Sequence, residues 1–382
     1  MRRREFLAAG AASVGALCLP VFAHAQAGYR RLLVLIELKG GNDSLNTVLP
    51  YNDPLYAQLR PRIGLKRDEI LQLDERTGLH PSLKPLLALW QARELAIVQG
   101  VGYPQPNLSH FRSIEIWDTA SRSDQYLADG WLARAFAAQP VPRSYAADGV
   151  VVGGSDMGAL AGSGTRAIVL AEPEQFMRQA RLAGAGGRSG NAALNHILRV
   201  DADIVQAASR LGGGMQFHTE FPRNPFGNAV RVAAQLAANP AGTAVIRLSL
   251  GGFDTHQNQP QVHARLLGEL AEGLAALKAA LVEAKRWDST LVMTYAEFGR
   301  RPQENGTNGT DHGTAAAHFV VGGQVKGGLY GQAPRLNDLD GGNLRHALDF
   351  RSLYATALAR WWGVDAERAL GRGFEPVELL RA

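Results

Sequence analysis

Cysteine is nearly missing. The 382 residues hold one, Cys18, inside an N-terminal stretch that reads as a removable leader. Without that leader the chain has no thiol, so disulfides, a cysteine nucleophile and thiolate metal ligands are excluded and the core must hold by burial alone. An excess of one charge sign is lacking too. The formal net charge of +5 falls to +3 when Arg2, Arg3, Arg4 and Glu5 leave with the leader, a balance that implies no nucleic-acid partner. Past the leader, no apolar run reaches the roughly 20 residues that a bilayer span takes, and no fixed-period repeat is visible. Gly153 to Gly164 (GGSDMGALAGSG) is rich in glycine, but it has neither the Gly-Lys-Ser/Thr ending of a phosphate-binding loop nor a Gly-x-Ser-x-Gly elbow. No Gly-x-Gly-x-x-Gly follows the first strand pattern. Nucleotide-driven, dinucleotide-dependent and lipase-type chemistry drop out together.

What is there begins with the leader itself. Arg2, Arg3 and Arg4 with Glu5, Phe6 and Leu7 make a basic head, and an Ala/Gly-rich apolar stretch follows to Phe22. This is the pattern of a twin-arginine signal peptide. Ala23-His24-Ala25 is a small-x-small cleavage site ahead of Gln26, with Ala25-Gln26-Ala27 as an alternative. Residues 1–25 are therefore expected to be a signal that exports a folded protein to the periplasm or beyond, with no transmembrane anchor left after cleavage. Twin-arginine export commonly serves proteins that take up a cofactor before crossing, which directs attention to metal ligands.

The remainder, 26–382, reads as a single α/β domain. Hydrophobic residues make up 46% of the chain and charged residues 20%, as in an ordinary globular protein with a large core. Strand patterns at Arg31 to Leu38, Leu95 to Gln99, Thr243 to Leu250, Thr290 to Ala296 and His318 to Gly322 alternate with helical patterns. The helical patterns are Pro81 to Arg93, His110 to Thr119, Asn228 to Ala238, Gln261 to Lys285 and Phe350 to Trp362. Such alternation argues for a largely parallel sheet. The middle, about 150–220, holds two short strand patterns, Val150 to Val152 and Arg166 to Leu170, and a helical pattern from Ala192 to Leu211; it reads as an inserted cap or side layer.

Chemistry gathers at the predicted strand ends, where open α/β sheets bind ligands. Asp254 and His256 follow one strand, Glu297 and Arg300 the next, and Asp311 and His312 lie in the Gly- and Asn-rich loop beyond. Asn42 and Asp43 stand on the glycine-rich exit of the first strand. Mixed oxygen and nitrogen donors suit zinc, manganese or iron better than calcium, so a hydrolytic centre for a divalent metal, zinc or manganese, is expected. Each pair alone reads equally well as a helix cap or turn; their combination carries the expectation. Ser109 falls where a loop becomes a helix and reads evenly as a nucleophile or a plain N-cap. Arg112, one turn on, is placed to grip the oxygens of a phosphate or sulfate. His318 opens an apolar strand and reads as a satisfied core histidine. His80, His196, His218, His263 and His346 have no comparable acidic neighbours and read as surface or structural.

The strings LKGGNDSLNTVLPY, SHFRS, LSLGGFDTHQNQ, EFGRRPQENGTNGTDHG and VKGGLYG, with the twin-arginine leader, closely resemble the domain-of-unknown-function family 1501. That family in turn resembles the alkaline phosphatase and sulfatase superfamily. The resemblance implies a three-layer α/β/α sandwich with a mostly parallel central sheet, and an exported hydrolase of phosphate or sulfate esters. It gives Asp43, or Asn42 beside it, the first-strand ligand role, Ser109 the nucleophile role, and Asp254 with His256 the first acidic-histidine pair. The chain departs from the superfamily in two places. Asn258 stands where an Asp-x-x-x-His spacing needs histidine, and Glu297-Phe298 stands where Asp-His is usual. The departures keep open a second reading, a non-catalytic periplasmic accessory or binding protein with a degenerate metal site.

Overall fold

Alternation within one strand sets the architecture. In β1, Leu32–Lys39, Leu32, Val34, Ile36 and Leu38 enter one apolar cluster while Leu33 and Leu35 enter another. Period-two geometry requires this of a strand covered on both faces, and each buried side chain contributes about 1.5–3 kcal/mol. In this computed structural model, which describes residues 28–171 and 215–381, eight further strands complete the sheet. They are β2 (Leu95–Gly102), β3 (Gly149–Val152), β4 (Ala167–Leu170), β5 (Val245–Gly251) and β6 (Thr290–Tyr295). Then come β7 (Ala316–Val321), β8 (Gly328–Gly331) and β9 (Leu348–Asp349). Across the sheet the order is β8-β2-β7-β6-β1-β5-β3-β4, with β9 also paired to β2. Only β7 runs antiparallel, against both β2 and β6; the other pairings are parallel. The sheet is mostly parallel, as the sequence predicts.

Helices close both faces. Besides the short α1 (Ser44–Thr47), whose Leu45 belongs to a third, smaller cluster, the principal ones are α2 (His110–Thr119), α3 (Trp131–Ala138), α4 (Pro225–Ala238), α5 (Gln259–Glu283) and α6 (Phe350–Ala355). Phe226 and Val230 of α4 and Leu266, Leu270 and Leu274 of α5 share a cluster with Leu32 and Ile36. On the opposite face Ile116 and Trp117 of α2, Trp131 of α3 and Phe350 of α6 pack on Leu33 and Leu35. Helices on both sides of the sheet make the three-layer sandwich.

Four local expectations are revised. Pro81 to Arg93 is a 3-10 helix over Pro81–Leu86 and α-helical only over Leu87–Gln91, because Pro85 supplies no N–H for a continuous ladder. The strands expected in a cap or side layer, β3 and β4, instead extend the central sheet beyond β5; the rest of that segment, with the 192–211 helical pattern and His196, lies outside the described residues, as does the leader. The glycine- and asparagine-rich stretch after β6 contains a hairpin, Gly299–Glu304 paired with Thr310–Gly313. The closing helix continues past α6 as a π-helical stretch, Thr356–Trp362.

β1 lies between β5 and β6, strands that come far later in the chain. Ligands of open α/β sheets bind where strand order reverses in this way, and the exits of β1, β5 and β6 carry the chemistry described next.

Candidate metal centre

Glycines bring the exits together. Gly40 and Gly41 leave β1 at φ +113° and +79°, and a side chain on either would strike the backbone of Asp254 or the ring of Phe298. The β1 exit can therefore pass directly beneath the two neighbouring loops. Asp254 and His256 follow β5. The hairpin sets Arg300 opposite His312, and α2 begins with His110, one residue after Ser109. Strand ends, a hairpin and a helix start thus converge on one point.

At that point lie His110, Asp254 and His312, whose donor atoms are all within 4.8 Å of one another. His312 Nε2 is 3.1 Å from Asp254 Oδ1, and His110 Nε2 is 3.3 Å from Oδ2. His256 joins them. Its Nε2 lies 3.1 Å from Asp254 and 3.0 Å from His312 Nε2, and its Nδ1 lies 3.3 Å from Asp311. Asp254, His256 and Asp311 are each more than two-fifths exposed, so the cluster opens to solvent.

The proton positions are fixed by partners behind the rings. A carbonyl only accepts, so His312 Nδ1 must donate its hydrogen to Leu108 O at 2.8 Å. His110 Nδ1 likewise donates to Glu297 Oε1 at 2.8 Å. With those protons placed, a neutral ring at either position turns the lone pair of Nε2 toward Asp254. Acceptor then faces acceptor, an arrangement that only an added proton or a cation between them makes favourable. Histidine backed by a carboxylate or carbonyl is the usual support of a metal ligand.

Charge at the cluster is managed by Arg300. Its guanidinium is fully buried and satisfied by the carbonyls of Gly41 (2.8 Å), Thr310 (2.9 Å), Phe253 (3.1 Å) and Gly40. It also reaches Asp254 at 2.6 Å. Partial burial acts to raise the Asp254 carboxyl, but the hydrogen bond from Arg300, one from His312 when that ring carries a second proton, and the charge of Arg300 outweigh it and bring it down to about 2. Asp311 is also lowered, since hydrogen bonds from Asn305 and His256 overcome its desolvation. Asp254 is thus a carboxylate at any working pH.

Of the residues singled out from sequence, Asp254, His256, Asp311 and His312 come together. Glu297 sits behind them: one oxygen accepts from Gly40 N–H and His110, and the other is buried with no hydrogen-bond partner. Ser109 caps the helix through its backbone; its side chain makes no capping bond and is exposed. Asp43 and Asn42 are placed apart from the cluster. Asp43 is held by both guanidinium nitrogens of Arg60, at 2.5 and 2.9 Å, and by Gln259 and Leu45 N–H. Asn42 accepts from His263 at 2.8 Å and bonds to Thr47. No lone pair of Asp43 is left for an ion. Arg112 is largely engaged: Nη2 donates to the carbonyls of Ser123 and Gln125, Nη1 lies 2.9 Å from Glu115, and the guanidinium stacks on Tyr126 at 3.8 Å, while Nε has no hydrogen-bond partner among the described residues. His318 is in the core as expected but unsatisfied, with neither ring nitrogen bonded among the described residues and Trp117 beside it. Two residues were missed. His110 stood unremarked beside Ser109 at the helix start, and Arg300 was seen only as part of a loop; a histidine at the start of a helix that follows a strand exit was the available signal.

The matched family model spans residues 68–374 and is described as a protein of unknown function, DUF1501. The chain belongs to this family. His110, Asp254, His256 and His312 all fall within the part of the chain that defines DUF1501 membership here. Among curated proteins none matches. Solved structures with a similar course of chain include the phosphonate monoester hydrolase SpPMH from Silicibacter pomeroyi, 10% identical, covering 88% of this chain and 73% of that one at a TM-score of 0.42. The C-terminal periplasmic domain of EcEptC from Escherichia coli, in complex with Zn, is 12% identical, covering 76% and 72% at 0.35. The alkaline phosphatase from the Antarctic bacterium TAB5 is 13% identical, covering 78% and 94% at 0.35. Among the described residues, no helix is long and apolar enough to cross a membrane.

Proposed function

We propose that this protein is an exported metal-dependent hydrolase of phosphate or sulfate esters. The observation that carries this reading is the pair of imidazoles, His110 and His312, held by Glu297 and Leu108 so that both Nε2 atoms face the Asp254 carboxylate. Two imidazoles and one carboxylate form a donor set that fits a catalytic zinc or manganese with room for a further ligand. His110, Asp254 and His312 would hold the ion, with His256 as the adjoining donor. When bound, the metal supplies Lewis acidity toward an ester oxygen and lowers the pKa of a coordinated hydroxyl or water.

The chain's own residues do the rest. Arg300 keeps Asp254 ionised and fixes its orientation. Glu297 holds the His110 ring and its tautomer. Ser109, exposed and uncommitted as a side-chain cap, is the hydroxyl beside the cluster in sequence and serves as nucleophile. The α2 N-terminus adds unpaired N–H groups for anionic oxygens. Arg112 has no part in this scheme, since the 122–126 loop and Glu115 hold its two terminal nitrogens. The twin-arginine leader makes the periplasm or the exterior the place of action, and a small anionic ester the partner.

The engagement of Asp43 and Arg112 elsewhere favours one second reading, a periplasmic binding protein that keeps the metal but not the turnover. Hydrolysis assays on aryl phosphate, sulfate and phosphonate esters with zinc- or manganese-loaded protein separate the two. Turnover that is lost in Ser109→Ala, with metal retained, is expected. Metal-loaded protein inert toward all three ester classes would overturn the hydrolase reading.

A further inference from the structure

A second feature lies away from the cluster. Beside β2 is a cavity of about 280 Å³ whose lining includes Ser44, Gln99, Ala316, Ala333 and Arg345 and none of the four clustered side chains. That volume falls just below the roughly 300–1,000 Å³ typical of small-molecule sites.

The backbone is shaped around Gln99. β7 pairs Ala316 with Val101 but His318 with Val98, so three steps on β2 oppose two on β7. Gly100, at φ +68°, takes up the extra residue. A bulge of this kind redirects a side chain out of the regular pleat. Gln99 is only 5% exposed and lines the cavity, and its carboxamide, which makes no side-chain hydrogen bond among the described residues, stays accessible to solvent there. A ligand can therefore take the place of water on both its donor and its acceptor. Across the cavity Ser44 accepts a hydrogen bond from Ala317 N–H at 2.7 Å, which leaves its own hydroxyl hydrogen to donate.

The rim carries balanced charge. Arg345 pairs with Asp338 at 3.1 Å and Asp340 at 3.3 Å, and Arg335 pairs with Asp338. Among the described residues every Arg and Asp of the rim is paired, which leaves His346 as the one other titratable side chain of the lining, whereas the carboxamide and hydroxyl offer donors and acceptors together. We infer that this cavity is a binding subsite for a small neutral hydroxyl-bearing group of sugar-ring size, read by Gln99 and Ser44. The inference does not depend on a metal at the cluster.

Titration calorimetry of the full protein with glucose, N-acetylglucosamine and glucuronate tests it. Saturable binding of a neutral sugar, weaker binding of glucuronate, and a loss of at least about ten-fold in Gln99→Leu are expected. Ala333→Trp, at an exposed position on the rim, should block binding without touching the core, and so stands in if Gln99→Leu does not fold. Binding should persist in Asp254→Ala/His312→Ala. No saturable binding of either neutral sugar, tighter binding of glucuronate, or binding unchanged in both Gln99→Leu and Ala333→Trp would overturn the inference.

Discussion

Two acidic centres at neighbouring strand exits contrast sharply in their surroundings. Asp43, after β1, is buried and meets a bidentate guanidinium from Arg60, the Gln259 amide and a backbone N–H. Asp254, after β5, is 45% exposed, meets one guanidinium nitrogen, and otherwise faces three imidazole Nε2 atoms. Both are histidine-associated aspartates in glycine-rich loops. The difference lies in the matching of donors: Asp43 has all its lone pairs matched, whereas Asp254 has two ring nitrogens pointed at it, those of His110 and His312, whose protons are committed to Glu297 and Leu108. A satisfied buried ion pair is structural; an open, acceptor-rich cluster is a place for a cation.

The largest effect that would sharpen this contrast is on folding. Asp43→Ala leaves Arg60 buried and unpaired, and such a loss costs about 3–5 kcal/mol. Chemical denaturation should show that drop, while the metal content of the protein that remains folded stays at the wild-type level. A loss of metal with unchanged stability would erase the distinction between the two centres. Next in size is Glu297→Gln, which weakens the support behind His110. Competition with a chelator should show metal affinity down by about 10–100-fold with the fold intact, and an unchanged affinity would remove Glu297 from the site.

A third prediction uses His318, a histidine with neither an acid nor a metal. Burial takes its pKa from 6.5 down to about 3. Between those values the unfolded chain binds the proton and the folded chain does not, so stability falls as pH drops from 6.5 toward 3. Buried His263 and His80, lowered by desolvation to about 3 and 4, act in the same direction. His318→Leu should therefore raise the Tm at pH 4 more than at pH 8, read by thermal melts at both. An equal shift at the two pH values would contradict the assignment. Smallest is Arg112→Ala: a change in ester turnover of less than about three-fold is expected because its terminal nitrogens are held by the 122–126 loop and Glu115. A loss of ten-fold or more would return Arg112 to the site.

Much of the fold was legible because its signals are periodic. The apolar runs of β1, β5 and β6 and the α2 pattern His110 to Thr119 appear within two residues of their predicted bounds. The hairpin was not legible. Its first strand reads Gly-Arg-Arg-Pro-Gln-Glu, and its buried Arg300 is satisfied by four loop carbonyls that no local pattern reveals. The same reason explains the site. Asp254, His256, Asp311 and His312 stood out as residue types at strand ends, and the structure joins them. Whether Asp43 faces an ion or an arginine depends on Arg60, which sits 17 residues away in a segment with no catalytic pattern. His110 was hidden for the opposite reason, because the serine before it drew the reading.

The most direct measurement is the metal content of the purified protein, wild type beside Asp254→Ala/His312→Ala, with circular dichroism to confirm folding. The account predicts close to one zinc or manganese per wild-type chain and almost none in the folded double variant. Equal metal in both, or none in the wild type after loading with either ion, would contradict it.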